Sequence, residues 1–380
     1  MKLTLAALLA ATQLVTPSAA DAARTISGTS RGLSWTAAST IVGQTSTATL
    51  AGGGNPIYFA NPSYNGVVSL IMNEGAAGTF ICSGTLLSDR RSILTAGHCV
   101  SHGAGTANPI STTAYFSSGA TPDSVTYLDP ASTAVSVSQY FVNPGYTGEV
   151  IDQNDIAVLR LSKAAPAWAM SYGIYTGGDL TGTNFNIAGY GARSDIGGAV
   201  GADLGPGRLR QGDNRYDFRL GDPDFGGFFT PGFFGEGVGT DIDYSFLSDF
   251  DNGLPMNDAS CRLATAGFGL AASAKYCNLG RGALEVSDAG GDSGGPEFVN
   301  GLIASVTSYG LTFGTAFGDV DGKLDSSWGE FNGFVPTYLH ADFIKSSMLP
   351  APEPVTWAEF IVGFALVGGM ARTRRRVQLQ

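Results

Sequence analysis

Three short stretches of the sequence each place a chemically active side chain among small or apolar neighbours. Ser293 lies in the run GGDSGGP, His98 lies in LTAGHC, and Asp155 lies in NDIAVL. A neutral serine hydroxyl is a weak nucleophile and needs a base within hydrogen-bonding reach. A serine, a histidine and an aspartate in one chain therefore indicate acyl transfer by a base-activated hydroxyl.

His98 is the candidate base because histidine is the side chain that ordinarily changes charge near neutral pH. The chain has only 3 histidines. The other two, His102 in a glycine-rich segment and His340 at a predicted C-terminal helix, are interpreted as surface residues. Asp155 would hold the imidazole of His98 in its productive tautomer and stabilise the imidazolium form.

In this order, the three motifs resemble those of the trypsin/chymotrypsin-like serine proteases over roughly residues 61–348. The resemblance implies an all-β fold with two six-stranded antiparallel β-barrels, an active site in the cleft between them and a C-terminal helix. It implies hydrolysis of peptide bonds in proteins or peptides through an acyl-enzyme on Ser293, without a cofactor or a metal. Asp155, rather than the nearby Asp152, precedes the apolar strand that the family places after its aspartate.

The same resemblance assigns roles to residues around the nucleophile. The backbone N–H groups of Gly291 and Ser293 would form the oxyanion hole. Residues expected to shape the specificity pocket or to pair with the substrate backbone are Ser287, Asp288, Ser308, Tyr309, Gly310 and Gly333. Ser287 occupies the place of the aspartate that trypsins use to select basic side chains. A basic side chain and a medium or large apolar one therefore both remain candidates at the cleavage site.

Four cysteines, an even number, suit an oxidising compartment. By resemblance, Cys82 pairs with Cys99 and clamps the histidine loop, and Cys261 pairs with Cys277. A zinc site is the alternative, but the spacings match no zinc pattern.

Asp292 precedes the nucleophile and is expected either to pair with a freshly cut amino terminus, as in the family, or to find an internal partner. The best candidate terminus is Ile41, in the run IVG, but no basic residue precedes it. An ordinary strand position for Ile41 is the favoured interpretation.

Many short apolar runs with glycine-rich turns between them favour strands over helices. The domain is predicted to span 55–349, preceded by a lead segment at 24–54 that is interpreted as a linker or propeptide. Residues 192–256 form a predicted insert rich in Gly, Phe and Asp, either a loop beside the substrate cleft or a surface elaboration. Its paired acids, Asp241 with Asp243 and Asp249 with Asp251, are interpreted as solvated charge rather than a calcium site.

The net charge of -11 disfavours nucleic acid as a partner. Residues 1–23 resemble a secretory signal peptide for removal by signal peptidase. Residues 350–380, with a hydrophobic segment at 355–370 and an arginine-rich end, resemble a PEP-CTERM sorting signal. An exosortase-like enzyme would process this tail after transient membrane association, at the envelope or outside of a Gram-negative bacterium. A transmembrane anchor and an amphipathic helix docked on the domain are the alternatives.

Two other functions fit the same residues. A surface binding or adhesive module built on a protease fold would keep the architecture without turnover. An esterase would use the same triad on esters. A comparison of amide with ester substrates separates the esterase from the peptidase, and a lack of turnover on any peptide library would mark the binding module.

Overall fold

The computed structural model describes residues 24–39, 42–43, 56–118, 126–194 and 196–348. The predicted signal peptide and sorting tail lie outside these residues. In the described part of the chain, no helix combines the length and the apolar character needed to cross a membrane.

The first sheet closes into a barrel. Six antiparallel strands run in the order β5-β4-β7-β8-β9-β6, and pairing of β5 with β6 completes the ring. A short seventh strand, β3, adds to the outer edge of β5. The strands are β3 (Val42–Gly43), β4 (Val67–Asn73), β5 (Thr79–Leu86), β6 (Ser92–Thr95), β7 (Ser111–Phe116), β8 (Thr133–Val142) and β9 (Ala157–Leu161).

The second sheet has nine strands and stays open. Seven of them run in the order β11-β10-β14-β15-β16-β13-β12, and the hairpin β1-β2 joins the free edge of β15 through β2. The strands are β1 (Thr25–Ser30), β2 (Leu33–Ser39), β10 (Asn184–Gly189), β11 (Arg210–Arg215), β12 (Phe218–Arg219), β13 (Phe246–Asp249), β14 (Pro296–Val299), β15 (Leu302–Thr312) and β16 (Phe331–Pro336).

This architecture confirms the all-β prediction and the first barrel. The second sheet takes the form of a half-barrel, since no ladder joins β11 to β12 among the described strands. Two α-helices occur in the described part of the chain, α1 (Ala259–Arg262) and the predicted C-terminal helix α2 (Ala341–Met348). Arg160 of β9 donates to the carbonyl of Ser347 at 2.6 Å and so places a cation at the C-terminus of α2.

The lead segment is not a linker over residues 25–39, where β1 and β2 form a hairpin. Its inward residues Leu33, Trp35 and Ala37 alternate with more exposed ones, which is the period-two pattern of a strand with one buried face. All three belong to a hydrophobic cluster with Tyr309 and Leu311 of β15. Burial of this face therefore fixes the register of β2 against β15.

The predicted insert at 192–256 is likewise not one loop, because β11, β12 and β13 lie within it. The stretch between β12 and β13 carries a set of phenylalanines whose rings pack on one another and on Phe268. Phe225, Phe229, Phe233 and Phe234 are buried. The β1-β2 hairpin packs on this aromatic cluster, since Trp35 lies edge-on against Phe234 with ring centroids 5.1 Å apart.

Burial also corrects two predictions about polar residues. Asp241 and Asp243 are exposed as predicted, but Asp249 and Asp251 are buried because β13 lies between β12 and β16. Burial raises the pKa of Asp251 to about 6. His340 is not a surface residue: its ring is buried between Asn143, at 2.9 Å, and the carbonyl of Gln153, at 2.7 Å.

Glu297 of β14 is a carboxyl group in the interior of the second sheet. Ser305 donates to one of its oxygens at 2.5 Å and Thr307 to the other at 2.6 Å, and Tyr216 is bonded to the Ser305 hydroxyl. Complete burial is the main cause that raises the pKa of Glu297 from 4.5 to about 8. The folded protein therefore keeps a proton on this group over a pH range in which the unfolded chain releases it.

This proton makes stability depend on pH. The contribution of Glu297 is fully present below about pH 4.5 and is lost as pH rises to about 8. A Glu297→Gln variant keeps a neutral side chain at every pH. We expect its free energy of unfolding to exceed that of the parent by a margin that grows by roughly 1–4 kcal/mol between pH 5 and pH 8.5.

Denaturant unfolding at the two pH values measures this margin. Asp342→Asn, at an exposed position on α2, is the control and should show no growth. An equal margin for Glu297→Gln at pH 5 and pH 8.5 would rule out a buried proton on Glu297.

Candidate active site

His98 sits at the end of the segment that follows β6, and a disulfide holds that segment to β5. Cys82 in β5 bonds to Cys99, as the resemblance implies. Gly97 leaves room for the neighbouring groups, since a Cβ there would lie 2.9 Å from the ring of Tyr146 and 3.0 Å from a carboxylate oxygen of Asp155. The side chain of His98 is only 8% exposed.

Asp155 lies in the turn before β9 and holds His98 at two points. Its Oδ1 accepts the backbone N–H of His98 at 2.7 Å, and its Oδ2 lies 2.6 Å from Nδ1 of the ring. Since a carboxylate only accepts hydrogen bonds, Nδ1 is the donor. The proton on Nδ1 leaves a lone pair on Nε2 of the neutral ring.

A third donor reaches the same carboxylate from the second sheet. The hydroxyl of Ser308 in β15 donates to Oδ2 of Asp155 at 2.5 Å. The neighbouring Asp152 instead accepts from Thr147 and from the backbone of Asn154, so it takes no part in orienting His98. Of the two aspartates weighed in the sequence analysis, Asp155 is therefore the one that contacts the ring of His98.

Ser293 lies in the tight turn that leads into β14 and is fully buried. Its carbonyl accepts the N–H of Ser83 in β5 at 2.9 Å and lies 3.6 Å from the sulfur of Cys99. Gly294 has φ of 76°, and a Cβ there would lie 2.0 Å from the hydroxyl oxygen of Thr95. The turn therefore needs glycine at position 294 to bring Ser293 close to the segment that carries His98.

The imidazole and the serine hydroxyl are not bonded to each other in this structure. Nε2 of His98 is buried and has no hydrogen-bond partner among the described residues. Active-site hydrogen bonds are often long without substrate and tighten when it binds. The structure thus joins His98 to Asp155 directly and brings Ser293 to the adjacent segment.

Backbone bonds fix the turn around Gly291. Its carbonyl accepts the hydroxyl of Ser83 at 2.9 Å, and the preceding carbonyl, of Gly290, accepts the N–H of Ala192 at 2.9 Å. A trans peptide points its C=O and N–H in opposite directions. The N–H of Gly291 is therefore directed away from Ala192.

Asp292 has internal partners. Its two carboxyl oxygens accept the N–H groups of Gly191, at 2.7 Å, and Ala289, at 3.0 Å. Burial raises its pKa to about 6. Ile41, the candidate for a cut terminus, lies outside the described residues.

Several residues expected to shape the specificity pocket pack against other residues of the second sheet instead. The ring of Tyr309 packs over Gly333, where a Cβ would lie 2.3 Å from it, and its hydroxyl is 2.6 Å from that of Ser245. Tyr309 is therefore part of the core, and Gly333 faces a ring rather than an open pocket. Gly310 lies in β15 opposite Ala38 of β2.

Ser287 and Asp288 both contact Asn332 of β16, a residue that the sequence analysis did not single out. Oδ1 of Asn332 accepts the Ser287 hydroxyl at 2.6 Å and the Asp288 N–H at 3.1 Å. Burial, followed by the nearby Asp292, raises the pKa of Asp288 well above its usual range. This raised pKa weakens the attraction of Asp288 for a basic substrate side chain, since it disfavours the charged form of the carboxyl group.

A cavity of about 490 Å³ lies behind the Ser287–Asp292 segment. Asp292, Ser287 and Ala289 line it together with Trp328 and Glu285. Of the residues expected to bind substrate, only Ser287 lines it. His98, Asp155 and Ser293 do not line this cavity.

One group of described side chains has the spacing of metal ligands: Cys82, His98 and Cys99. The two sulfurs are bonded to each other, so they are not available as thiolate ligands. The second disulfide, between Cys261 and Cys277, also forms as expected.

Two comparisons with known proteins found similarities to this chain. The Trypsin family model matches residues 51–200, which include His98 and Asp155 but not Ser293. No curated protein matches the chain. Among solved structures, it is similar to neuropsin, a serine protease expressed in the limbic system of mouse brain. The identity is 16% and the TM-score 0.49, over 77% of this chain and 98% of that one. The family match covers fewer than half of the 380 residues and shows a likeness to trypsin-like proteins over that stretch.

The two disulfides allow a matched test of how the histidine segment is held. They close loops of similar length, with separations of 17 and 16 residues. We expect Cys82→Ala/Cys99→Ala and Cys261→Ala/Cys277→Ala each to lower the free energy of unfolding by about 3 kcal/mol. Only the first pair should disturb His98.

Denaturant unfolding gives the stability, and the downfield proton resonance of the Nδ1–H group bonded to Asp155 reports the site. Loss of that resonance in both double variants, or in neither, would contradict a local clamp.

Proposed function

We propose that this protein is an exported serine endopeptidase of the trypsin/chymotrypsin type that hydrolyses peptide bonds through an acyl-enzyme on Ser293. The observation that carries the proposal is the double attachment of His98 to Asp155, through its backbone N–H and through Nδ1. This attachment leaves the lone pair of Nε2 as the basic site, beside the turn that holds Ser293. A buried imidazole nitrogen without a partner is costly in a purely structural role.

The reaction follows from these positions. His98 takes the proton of the Ser293 hydroxyl on Nε2 as the oxygen adds to the substrate carbonyl, and Asp155 stabilises the resulting imidazolium. His98 then returns the proton to the leaving amine when the carbon–nitrogen bond breaks. Water attacks the acyl-enzyme by the same route and releases the carboxylate product.

The backbone of the turn supports an oxyanion hole at Gly291 and Ser293. The carbonyls of Gly290 and Asp292 are engaged by Ala192 and Gly295, at 2.9 and 2.7 Å. The N–H groups of the same two trans peptides, on Gly291 and Ser293, are directed the opposite way. Two such donors would stabilise the negative charge that develops on the substrate oxygen.

The cellular setting belongs to the same proposal. Two disulfides suit an oxidising compartment outside the cytoplasm. We assign removal of residues 1–23 to signal peptidase and processing of 350–380 to an exosortase-like enzyme of a Gram-negative envelope. The masses of the mature N- and C-termini, measured from the producing cell, test both assignments.

Labelling with a fluorophosphonate probe tests the catalytic assignment. We expect Ser293→Ala to abolish labelling and Asp155→Asn to lower turnover of a susceptible peptide by about 10⁴. Ser308→Ala removes one hydrogen bond to the Asp155 carboxylate and should cost about ten- to a hundredfold. The three variants thus form a graded series.

Each variant is compared with the parent protein by thermal unfolding, so that loss of fold is separated from loss of chemistry. Equal labelling of the parent and Ser293→Ala would contradict the proposal and favour a binding module. Turnover of ester but not amide substrates would favour an esterase.

A further inference from the structure

Glu297 follows the proposed nucleophile by four positions, and the second sheet encloses its carboxyl group. The side chain is fully buried. Tyr216, which is bonded to the Ser305 hydroxyl, packs on the rings of Phe185 and Phe334. A carboxyl group in such surroundings loses its hydration and must recover hydrogen bonds from the protein. When those bonds are complete, a buried polar network makes the groups that it joins rigid.

The carboxyl group joins two hydroxyl groups of β15. Its oxygens lie 2.5 Å from the hydroxyl of Ser305 and 2.6 Å from that of Thr307. These two residues are two positions apart in one strand, so their side chains point to the same face of the sheet. Glu297 therefore holds β14 to β15 through side chains as well as through the backbone ladder.

Thr307 in turn holds both glycines that follow Ser293 in the nucleophile turn (residues 291–295). The N–H of Gly294 donates to the carbonyl of Thr307 at 2.8 Å. The N–H of Thr307 donates to the carbonyl of Gly295 at 3.0 Å. The backbone of Thr307 thus fixes the two residues after the nucleophile, and the side chain of Thr307 is fixed by Glu297.

The residue after Thr307 reaches the catalytic aspartate. In the ladder with β16, Thr307 and Tyr309 have adjacent partners, so Ser308 lies at an irregularity of the strand. An irregularity of this kind re-aims a side chain. Ser308 donates from this position to Asp155 at 2.5 Å. A shift of Thr307 would therefore disturb the nucleophile turn and the contact with Asp155 together.

The titratable groups that face Glu297 make a negative charge there costly. Asp292 in the nucleophile turn raises the pKa of Glu297, after the larger effect of burial. Burial, then Asp292 and Glu297 raise the pKa of Asp288. From the other side, burial and then Glu297 raise the pKa of the Tyr216 phenol. None of these three groups can supply a positive charge, so an ionised Glu297 needs water, which enters only if β14 separates locally from β15.

We propose that Glu297 is a positioning residue of the nucleophile turn: its neutral form holds Thr307 against Gly294 and Gly295, and loss of its proton loosens this contact and lowers turnover. This inference rests on the proposed function. His98 must be neutral to act as a base, so activity rises as pH passes about 6.5. It falls again as pH passes about 8, where Glu297 releases its proton.

Turnover of a susceptible peptide amide, measured from pH 5 to pH 10, tests this role. We expect kcat of the parent to fall about tenfold between pH 7 and pH 9.5, because the loosened turn misplaces the nucleophile. Glu297→Gln stays neutral and should keep its pH 7 value of kcat. KM should change by less than about twofold in both proteins, since Glu297 is buried and does not reach the substrate.

Glu285→Gln is the matched control. Glu285 is a second buried acid whose pKa burial raises to about 8, but its oxygens accept the backbone N–H groups of Asp251 and Arg281 rather than hydroxyls of β15. This variant should keep the alkaline fall of the parent. Circular dichroism at each pH confirms that all three proteins are folded, which separates turnover from stability.

Infrared spectroscopy observes the proton itself. The carbonyl stretch of a protonated carboxyl group that Glu297→Gln removes at pH 7 should be lost from the parent between pH 7 and pH 9.5. An alkaline fall of kcat in Glu297→Gln equal to that of the parent, or a level kcat in the parent, would overturn the inference and leave the proposed function standing. A parent that hydrolyses no peptide and shows no labelling at Ser293 removes both.

Thr307 provides the second test if Glu297→Gln fails to fold. Thr307→Val removes the hydroxyl that contacts Glu297 and should lower kcat at pH 7 by about tenfold. Thr307→Ser keeps a hydroxyl and should restore the parent's value. A folded Thr307→Val variant with the parent's kcat would contradict the positioning role.

Discussion

The carboxylate of Asp155 is the constraint on which the site depends. It accepts the backbone N–H and the ring Nδ1 of His98 within the first barrel, and the hydroxyl of Ser308 from the second sheet. A buried carboxylate with fewer donors would be poorly compensated for its lost hydration. The two sheets must therefore meet at this point for the charge to be tolerated, and the same requirement sets the position of the imidazole.

Ser83 performs a similar task for the nucleophile turn. Its N–H bonds to the carbonyl of Ser293, and its hydroxyl donates to Gly291 and accepts from the N–H of Tyr190. One short residue of the first barrel thus fixes three backbone positions next to strands of the second sheet. A turn held in this way has little freedom left to lose when an oxyanion forms, which is what preorganisation requires.

The sequence identified residues whose neighbours are local. The settings of His98, Asp155 and Ser293 could be predicted from short motifs, and the two cysteine pairs and the C-terminal helix from the family resemblance that those motifs carry. The alternation of Leu33, Trp35 and Ala37 was also available as a strand signal, but its partners lie nearly two hundred positions away among the phenylalanines near 230. Asp249 was misplaced because β13 is buried on both faces, so its run has no alternation to show that the acid points inward.

The early end of the β14 ladder explains where the hairpin joins the second sheet. β14 pairs with β15 only up to Val306, so residues 309–312 of β15 have an edge that β14 does not cover. An uncovered edge of this kind invites pairing with other chains. The N-terminal hairpin covers it through β2, and the aromatic segment between β12 and β13 supplies the surface on which the apolar face of the hairpin is buried. The lead segment and the aromatic segment, which look unrelated in the sequence, therefore meet in one structural unit over β15.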